Sequence, residues 1–268
     1  MNESRALVVL GVLCVALCVS PVVCAEAAAK APEAAKPETA AGTYFLQPKD
    51  VVMFFGDSIT EGAKPEVDFL MADIKKQYPD LAQGDGQVKM VLSGSGGEVA
   101  RYGLQRIDKA LADFKPSVCV VCYGMNETGW TIENSWQFIP SLKQIVERLK
   151  NAKVAVVLAA PPPISVKKLA PGWDRFADAA KRLPATGEMV RKLAATEGVL
   201  FVDTFAAFKA ASGKGDKEFT RDGVHPNEDG YRVMADALQK TLGFGKPLAK
   251  VGTPRPQPAA AAPASNEK

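Results

Sequence analysis

The sequence predicts a three-layer α/β/α sandwich built on a mainly parallel five-stranded sheet, with a single core. Three observations lead there. Five short apolar runs with β-branched residues, Val51–Phe55, Val88–Leu92, Val118–Tyr123, Val154–Leu158 and Val199–Val202, are each short enough for a strand buried on both faces. The segments between them change to helical spacing, and strand alternating with helix five times implies parallel strands with helices on both sides. The chain of 268 residues is also long enough for one such domain.

From the amino end, Arg5 precedes an apolar stretch from Ala6 to about Val23, and Val23-Cys24-Ala25 supplies small residues for a cut after Ala25. Residues 1–25 therefore read as a secretory signal, and the mature chain is expected to be secreted or periplasmic. An uncleaved membrane anchor is the rival, since the stretch approaches the roughly 20 residues of a spanning helix. Membrane contact is expected only in that case. Residues 26–43 hold mostly Ala, Lys, Glu and Pro and read as a flexible linker, 44–245 as the folded domain, and 246–268 as a disordered Pro/Ala-rich tail.

Inside the domain, Val67, Leu70, Met71, Ile74 and Tyr78 fall on one helical face, as do Leu142, Ile145, Val146 and Leu149. The last helix has the fullest signature. Asn227 suits the N-cap, Glu228 and Asp229 suit the positive end of the dipole, Tyr231, Met234, Ala235, Leu238 and Leu242 form the apolar face, and Gly243 ends it.

The formal charge of +3 comes from interspersed acidic and basic residues, without the basic stripe that phosphate-backbone binding needs, so no nucleic-acid partner is expected. Of five cysteines only Cys119 and Cys122 lie outside the signal segment. They are three apart on a strand and so face opposite sides, which reads as small buried apolar residues rather than a redox pair or half a zinc site.

In open parallel sheets, ligands bind beyond the carboxyl ends of the strands. Ser58 follows the first run in Phe55-Gly56-Asp57-Ser58-Ile59-Thr60, a Gly94 to Gly97 turn follows the second, and Gly124-Met125-Asn126-Glu127 follows the third. The only histidine, His225, lies after the fifth run in Asp222-Gly223-Val224-His225-Pro226. Acyl transfer from an ester requires a nucleophile, a base and donors for the oxyanion. Ser58 is the candidate nucleophile, His225 the base, and Asp222 the group that orients the imidazole.

These four blocks, spread from about Val51 to Tyr231, resemble the SGNH (GDSL) hydrolase superfamily, whose fold is flavodoxin-like. The resemblance implies a serine esterase or acylhydrolase working through an acyl-enzyme with no metal or organic cofactor. It implies an oxyanion hole made by the N–H of Ser58, the N–H of Gly94 and the side-chain amide of Asn126. Two departures stand out. Glu127 takes the place of an aspartate after Asn126, and Leu92 stands where an asparagine usually precedes the glycine, so Gly96 or Gly97 competes with Gly94. There is no Gly-x-Ser-x-Gly elbow of the α/β-hydrolase type.

The expected substrate is a small-molecule or polysaccharide ester, with a slight preference for short acyl, especially acetyl, esters of carbohydrates. Tyr123, Trp130 and Trp173 are the aromatics expected near the active edge. The alternative is a lysophospholipase or thioesterase whose longer acyl chain is lined by Ile164, Val166, Leu169, Trp173 and Phe176. A non-catalytic glycan-binding module on the same fold is the reading from another class.

Overall fold

A computed structural model describes residues 43–129, 136–213 and 217–248, together with Arg255. The expected signal segment and all but the end of the linker lie outside the described residues, as does Trp130. In chain order the elements are β1 (Val51–Gly56), α1 (Ser58–Glu61), α2 (Lys64–Gln77), α3 (Pro79–Ala82), β2 (Lys89–Gly94), α4 (Ala100–Phe114), β3 (Val118–Cys122), α5 (Met125–Gly129), α6 (Phe138–Asn151), β4 (Ala155–Ala159), α7 (Arg175–Glu197), β5 (Leu200–Val202), α8 (Thr204–Ser212) and α9 (Glu228–Leu242). The strands form one parallel sheet in the order β2-β1-β3-β4-β5, and each coincides to within two residues at either end with an apolar run of the sequence.

Strand alternation divides the core in two. Val52 and Phe54 of β1, with Val118, Val120 and Cys122 of β3, meet α2 through Leu70 and Ile74 and α9 through Ala235, Leu238 and Leu242. Met53 and Phe55, with Cys119 and Val121, meet α4 through Ile107, α6 through Leu142, Ile145, Val146 and Leu149, and α7 through Val190 and Leu193. The two cysteines are buried, unpaired and on opposite faces.

A third cluster underlies the carboxyl edge: Ile59, Met125, Phe176, Leu183, Phe208, Phe219, Val224 and Tyr231, with Ile164, Leu169 and Trp173 packed against it. Glu66 of α2 is buried on the first face, beside a cavity of about 20 Å³ lined also by Ile59, Thr60 and Cys122. Burial pushes its carboxyl up to about 8. Among the described residues no helix is long and apolar enough to cross a membrane.

The start of the carboxyl-terminal segment departs from the flexible tail read from composition. Tyr44 forms a parallel bridge with Leu248, and its N–H donates to Pro247 O at 2.8 Å. The Tyr78 hydroxyl donates to Lys246 O at 2.7 Å. Arg255 pairs with buried Asp50 and donates to Ser117 O at 3.2 Å, at the amino ends of β1 and β3. A buried carboxylate supplies the partner that composition does not reveal.

Candidate active site

Ser58 opens α1 because the chain turns sharply after β1. Asp57 is the N-cap, its Oδ1 accepting from Ile59 N at 2.9 Å. Glycine is needed on both sides of this turn. A Cβ on Gly56 would lie 2.3 Å from Cys122 O and from Thr60 Oγ1, and one on Gly94 would lie 2.0 Å from Glu61 N. Gly94 is thus the seat on which the α1 backbone rests.

His225 and Asp222 come from the loop before α9. His225 Nε2 lies 2.9 Å from Ser58 Oγ, and Nδ1 lies 2.7 Å from Asp222 Oδ2. Asp222 Oδ1 accepts from the backbone N–H groups of Val224 at 3.0 Å and His225 at 2.8 Å. Burial would raise this carboxyl, but the bonds from the His225 backbone and ring and from Val224 outweigh it and hold it below the usual carboxylate range. The loop is clamped from outside: Ser165 N donates to Gly223 O at 2.8 Å and Ala170 N to Asp222 O at 3.1 Å. Gly223 has a φ of 91°, and a Cβ there would meet Leu169 N at 2.7 Å.

The side around Asn126, where the oxyanion hole is expected, is held by a buried polar network that the sequence reading missed. Asn126 Nδ2 donates to Glu98 O at 2.9 Å and to Asp57 Oδ2 at 3.3 Å. Glu127 Oε2 accepts from Gly124 N at 3.0 Å, while its Oε1 accepts from Ala100 N at 2.5 Å at the start of α4. The departure from aspartate at this position therefore links the third turn to the second. The carboxylate of Glu98 receives Arg106 Nε at 2.8 and 2.9 Å and the Tyr123 hydroxyl at 2.5 Å. Arg106 also donates to Ser93 Oγ at 2.8 Å, Ser93 O at 2.9 Å and Gly56 O at 3.0 Å. Burial pushes Asp57 up to about 8 and Glu127 up to about 7, against the N–H bonds each accepts.

Gly96 and Gly97 are exposed above this network. Gly97 has a φ of 69° and open space where a Cβ would lie. Its N–H has no bond among the described residues, unlike the neighbouring Glu98 N–H, which donates to Ser95 O at 3.2 Å.

Of the expected edge aromatics, Tyr123 is buried and bonded to Glu98. It ends the run whose alternate residues Cys119 and Val121 face the second core, and it follows them inward. Trp173 is stacked on Phe176 and stands edge-on to the His225 ring, with centroids 5.3 Å apart in each case. No group of three or more His, Cys, Asp or Glu side chains among the described residues could hold a metal ion.

Comparison with known proteins agrees with this architecture. The profile of the GDSL-like Lipase/Acylhydrolase family matches residues 54–233. Among solved structures, the acetylxylan esterase Axe2 from Geobacillus stearothermophilus superposes with a TM-score of 0.62 at 20% identity, over 77% of this chain and 100% of that one. LAE5, an alpha/beta hydrolase enzyme from the metagenome of Lake Arreo, Spain, gives 0.61 at 20% identity, over 75% and 98%. Variants of Axe2 described as catalytic mutants replace a serine, a histidine and an aspartate. No match is found among curated protein sequences. The family match spans both the Ser58 and the His225 turns, and the chain belongs to the GDSL-like lipase/acylhydrolase family of ester-cleaving hydrolases.

Proposed function

We propose that this hydrolase removes short acyl groups, acetyl foremost, from carbohydrates, with Ser58 as nucleophile, His225 as general base and Asp222 orienting the imidazole. The observation that carries the catalytic roles is the unbroken chain Ser58 Oγ, His225 Nε2, His225 Nδ1, Asp222 Oδ2, with links of 2.9 and 2.7 Å. In acylation His225 Nε2 takes the Ser58 proton as Oγ attacks the ester carbonyl, then returns it to the departing alcohol. Water repeats the sequence on the acyl-enzyme and releases the acid. Asp222, held ionised by its backbone donors, favours the tautomer that leaves Nε2 free to accept.

The oxyanion donors in this reading are the Ser58 N–H, the Asn126 amide and Gly97 N–H, which replaces Gly94. Gly97 is exposed and its N–H is free, whereas Gly94 lies beneath Glu61. Asn126 reaches the oxyanion by giving up its longer bond, 3.3 Å to Asp57, while Glu98 O keeps hold of the amide.

Support for an acetylated carbohydrate comes from the Axe2 likeness, and the export expected from residues 1–25 would give the chain access to polysaccharide. Of the side chains named for a long acyl channel, Phe176 is buried in the third core cluster, Ile164, Leu169 and Trp173 pack half-buried against it, and Val166 is exposed. The test pairs fluorophosphonate labelling with a chain-length series of aryl esters and acetylated oligosaccharides. Ser58→Ala is expected to abolish labelling and turnover, and the parent to prefer acetyl over octanoyl esters. Equal labelling of parent and variant would sink the nucleophile, and a preference for long chains would sink the substrate class.

A further inference from the structure

Two large aromatic side chains stand in solvent at the active edge: Trp136, 67% exposed, and Tyr102, 48% exposed. Polar side chains accompany both. The Arg101 guanidinium lies over the Tyr102 ring, 4.6 Å from its centroid, and donates to the Tyr102 hydroxyl at 2.7 Å. Its other terminal nitrogen donates to Gln137 Oε1 at 3.3 Å, so α4 is tied to the residue beside Trp136.

This patch is next to the catalytic centre. Glu98 O holds the Asn126 amide and Glu127 Oε1 receives Ala100 N. Arg101 and Tyr102 follow within one turn of α4, a rise of about 5.4 Å.

We propose that Tyr102, Arg101, Trp136 and Gln137 form a subsite for a pyranose ring of the alcohol moiety, beside the oxyanion turn. The proposal rests on the carbohydrate-ester reading and names the surface that would recognise the glycan. A pyranose presents an apolar C–H face rimmed by hydroxyls. An aromatic face covers the first, and planar guanidinium and carboxamide donors pair with the second. An acyl-chain groove would not seat a guanidinium and an amide among its walls, since the donors left over from the Arg101–Tyr102 and Arg101–Gln137 bonds would lose water without gaining a partner. Trp173, on the histidine flank, already has its ring stacked on Phe176.

The experiment uses Trp136→Ala, Tyr102→Ala and Trp136→Phe in the full chain, with acetylated xylo- and cello-oligosaccharides, 4-nitrophenyl acetate and 4-nitrophenyl octanoate. Free oligosaccharide binding is measured by calorimetry on Ser58→Ala and on the same substitutions added to it. Each alanine variant is expected to lower the ratio of kcat/KM on the oligosaccharide ester to that on aryl acetate about tenfold, mainly through KM, and to weaken free oligosaccharide binding about as much. Trp136→Phe, which retains a π face, should stay within about threefold of the parent.

If the parent deacetylates no carbohydrate, the substrate reading falls, while calorimetry still decides the subsite. If it does so and neither the ratio nor the binding changes in the alanine variants, the subsite falls alone. A loss confined to the octanoate would assign the patch to an acyl chain and overturn the proposal.

Discussion

Replacing Arg106 tests the frame behind the oxyanion turn. Its side chain is 26% exposed and that of Glu98 8%, so the pair is largely shielded from water. Arg106→Met removes the bonds to Glu98, Ser93, Gly56 and the Tyr123 hydroxyl and leaves the Glu98 carboxylate with the Tyr123 hydroxyl alone. Breaking a buried pair by removing one partner costs about 3–5 kcal/mol, much of it from the charge left behind. With a urea m-value of about 2 kcal/mol/M, the unfolding midpoint should fall by about 1.5–2.5 M. Glu98→Gln added to Arg106→Met removes the stranded charge. The double variant should therefore be more stable than the sum of the two single losses by at least about 1.5 kcal/mol. Because Glu98 O anchors Asn126, kcat on an aryl acetate should fall in the folded single variant with little change in KM. A midpoint shift below about 0.5 M, or strictly additive losses, would show that the pair is not the buried support its geometry describes.

Three further outcomes follow from the same geometry. Asn126→Ala should slow the chemical step by about 10²–10³-fold, roughly 2.7–4 kcal/mol, with substrate affinity nearly unchanged; single-turnover kinetics showing weaker binding and unchanged chemistry would make it a substrate-binding residue instead. Asp222→Asn should keep the fold and substrate binding but lower kcat by about 10⁴, because the imidazole loses the acceptor that sets its tautomer, and near-parental kcat would refute that role. Glu66, raised by burial from 4.5 to about 8, keeps a proton in the folded state that the unfolded chain releases. Its contribution is therefore complete below about 4.5 and is lost as pH rises towards 8, by up to about 1.4 kcal/mol per pH unit. Glu66→Gln should shrink the gap between urea midpoints at pH 5 and pH 8, and an unchanged gap would show that the carboxyl is not buried neutral.

The sheet was legible because β1, β3, β4 and β5 are largely buried on both faces and so write themselves as unbroken apolar runs, while the half-buried edge strand β2 keeps an apolar run interrupted only by the exposed Lys89. Ser58, Asp222 and His225 were legible because their neighbours are local: a strand end for the serine, and three residues of one turn for the other two. The support for the oxyanion side was not. Glu98, Arg106 and Tyr123 meet across β1, β2 and β3, and nothing in their spacing announces the contact. Which glycine of the Gly94 to Gly97 turn offers a free N–H depends on where α1 comes to rest, a packing outcome. Tyr123 could have been placed inside by its alternation with Cys119 and Val121. The exposure of Tyr102 and Trp136 could not be read from their sequence positions.

The pairing of Tyr44 with Leu248, with Arg255 docked on Asp50 and Ser117, has a consequence for handling the enzyme. Both ends of the described domain lie at the amino ends of the strands, while Ser58 lies past the carboxyl end of β1. A six-residue strand at about 3.3 Å per residue separates the two by about 20 Å. A carrier domain, an affinity tag or a solid support coupled through either end would therefore sit behind the catalytic mouth, leaving it turned towards an insoluble substrate. Trimming the chain before Leu248 would strip Tyr44 of its pairing, so the attachment point belongs beyond Arg255.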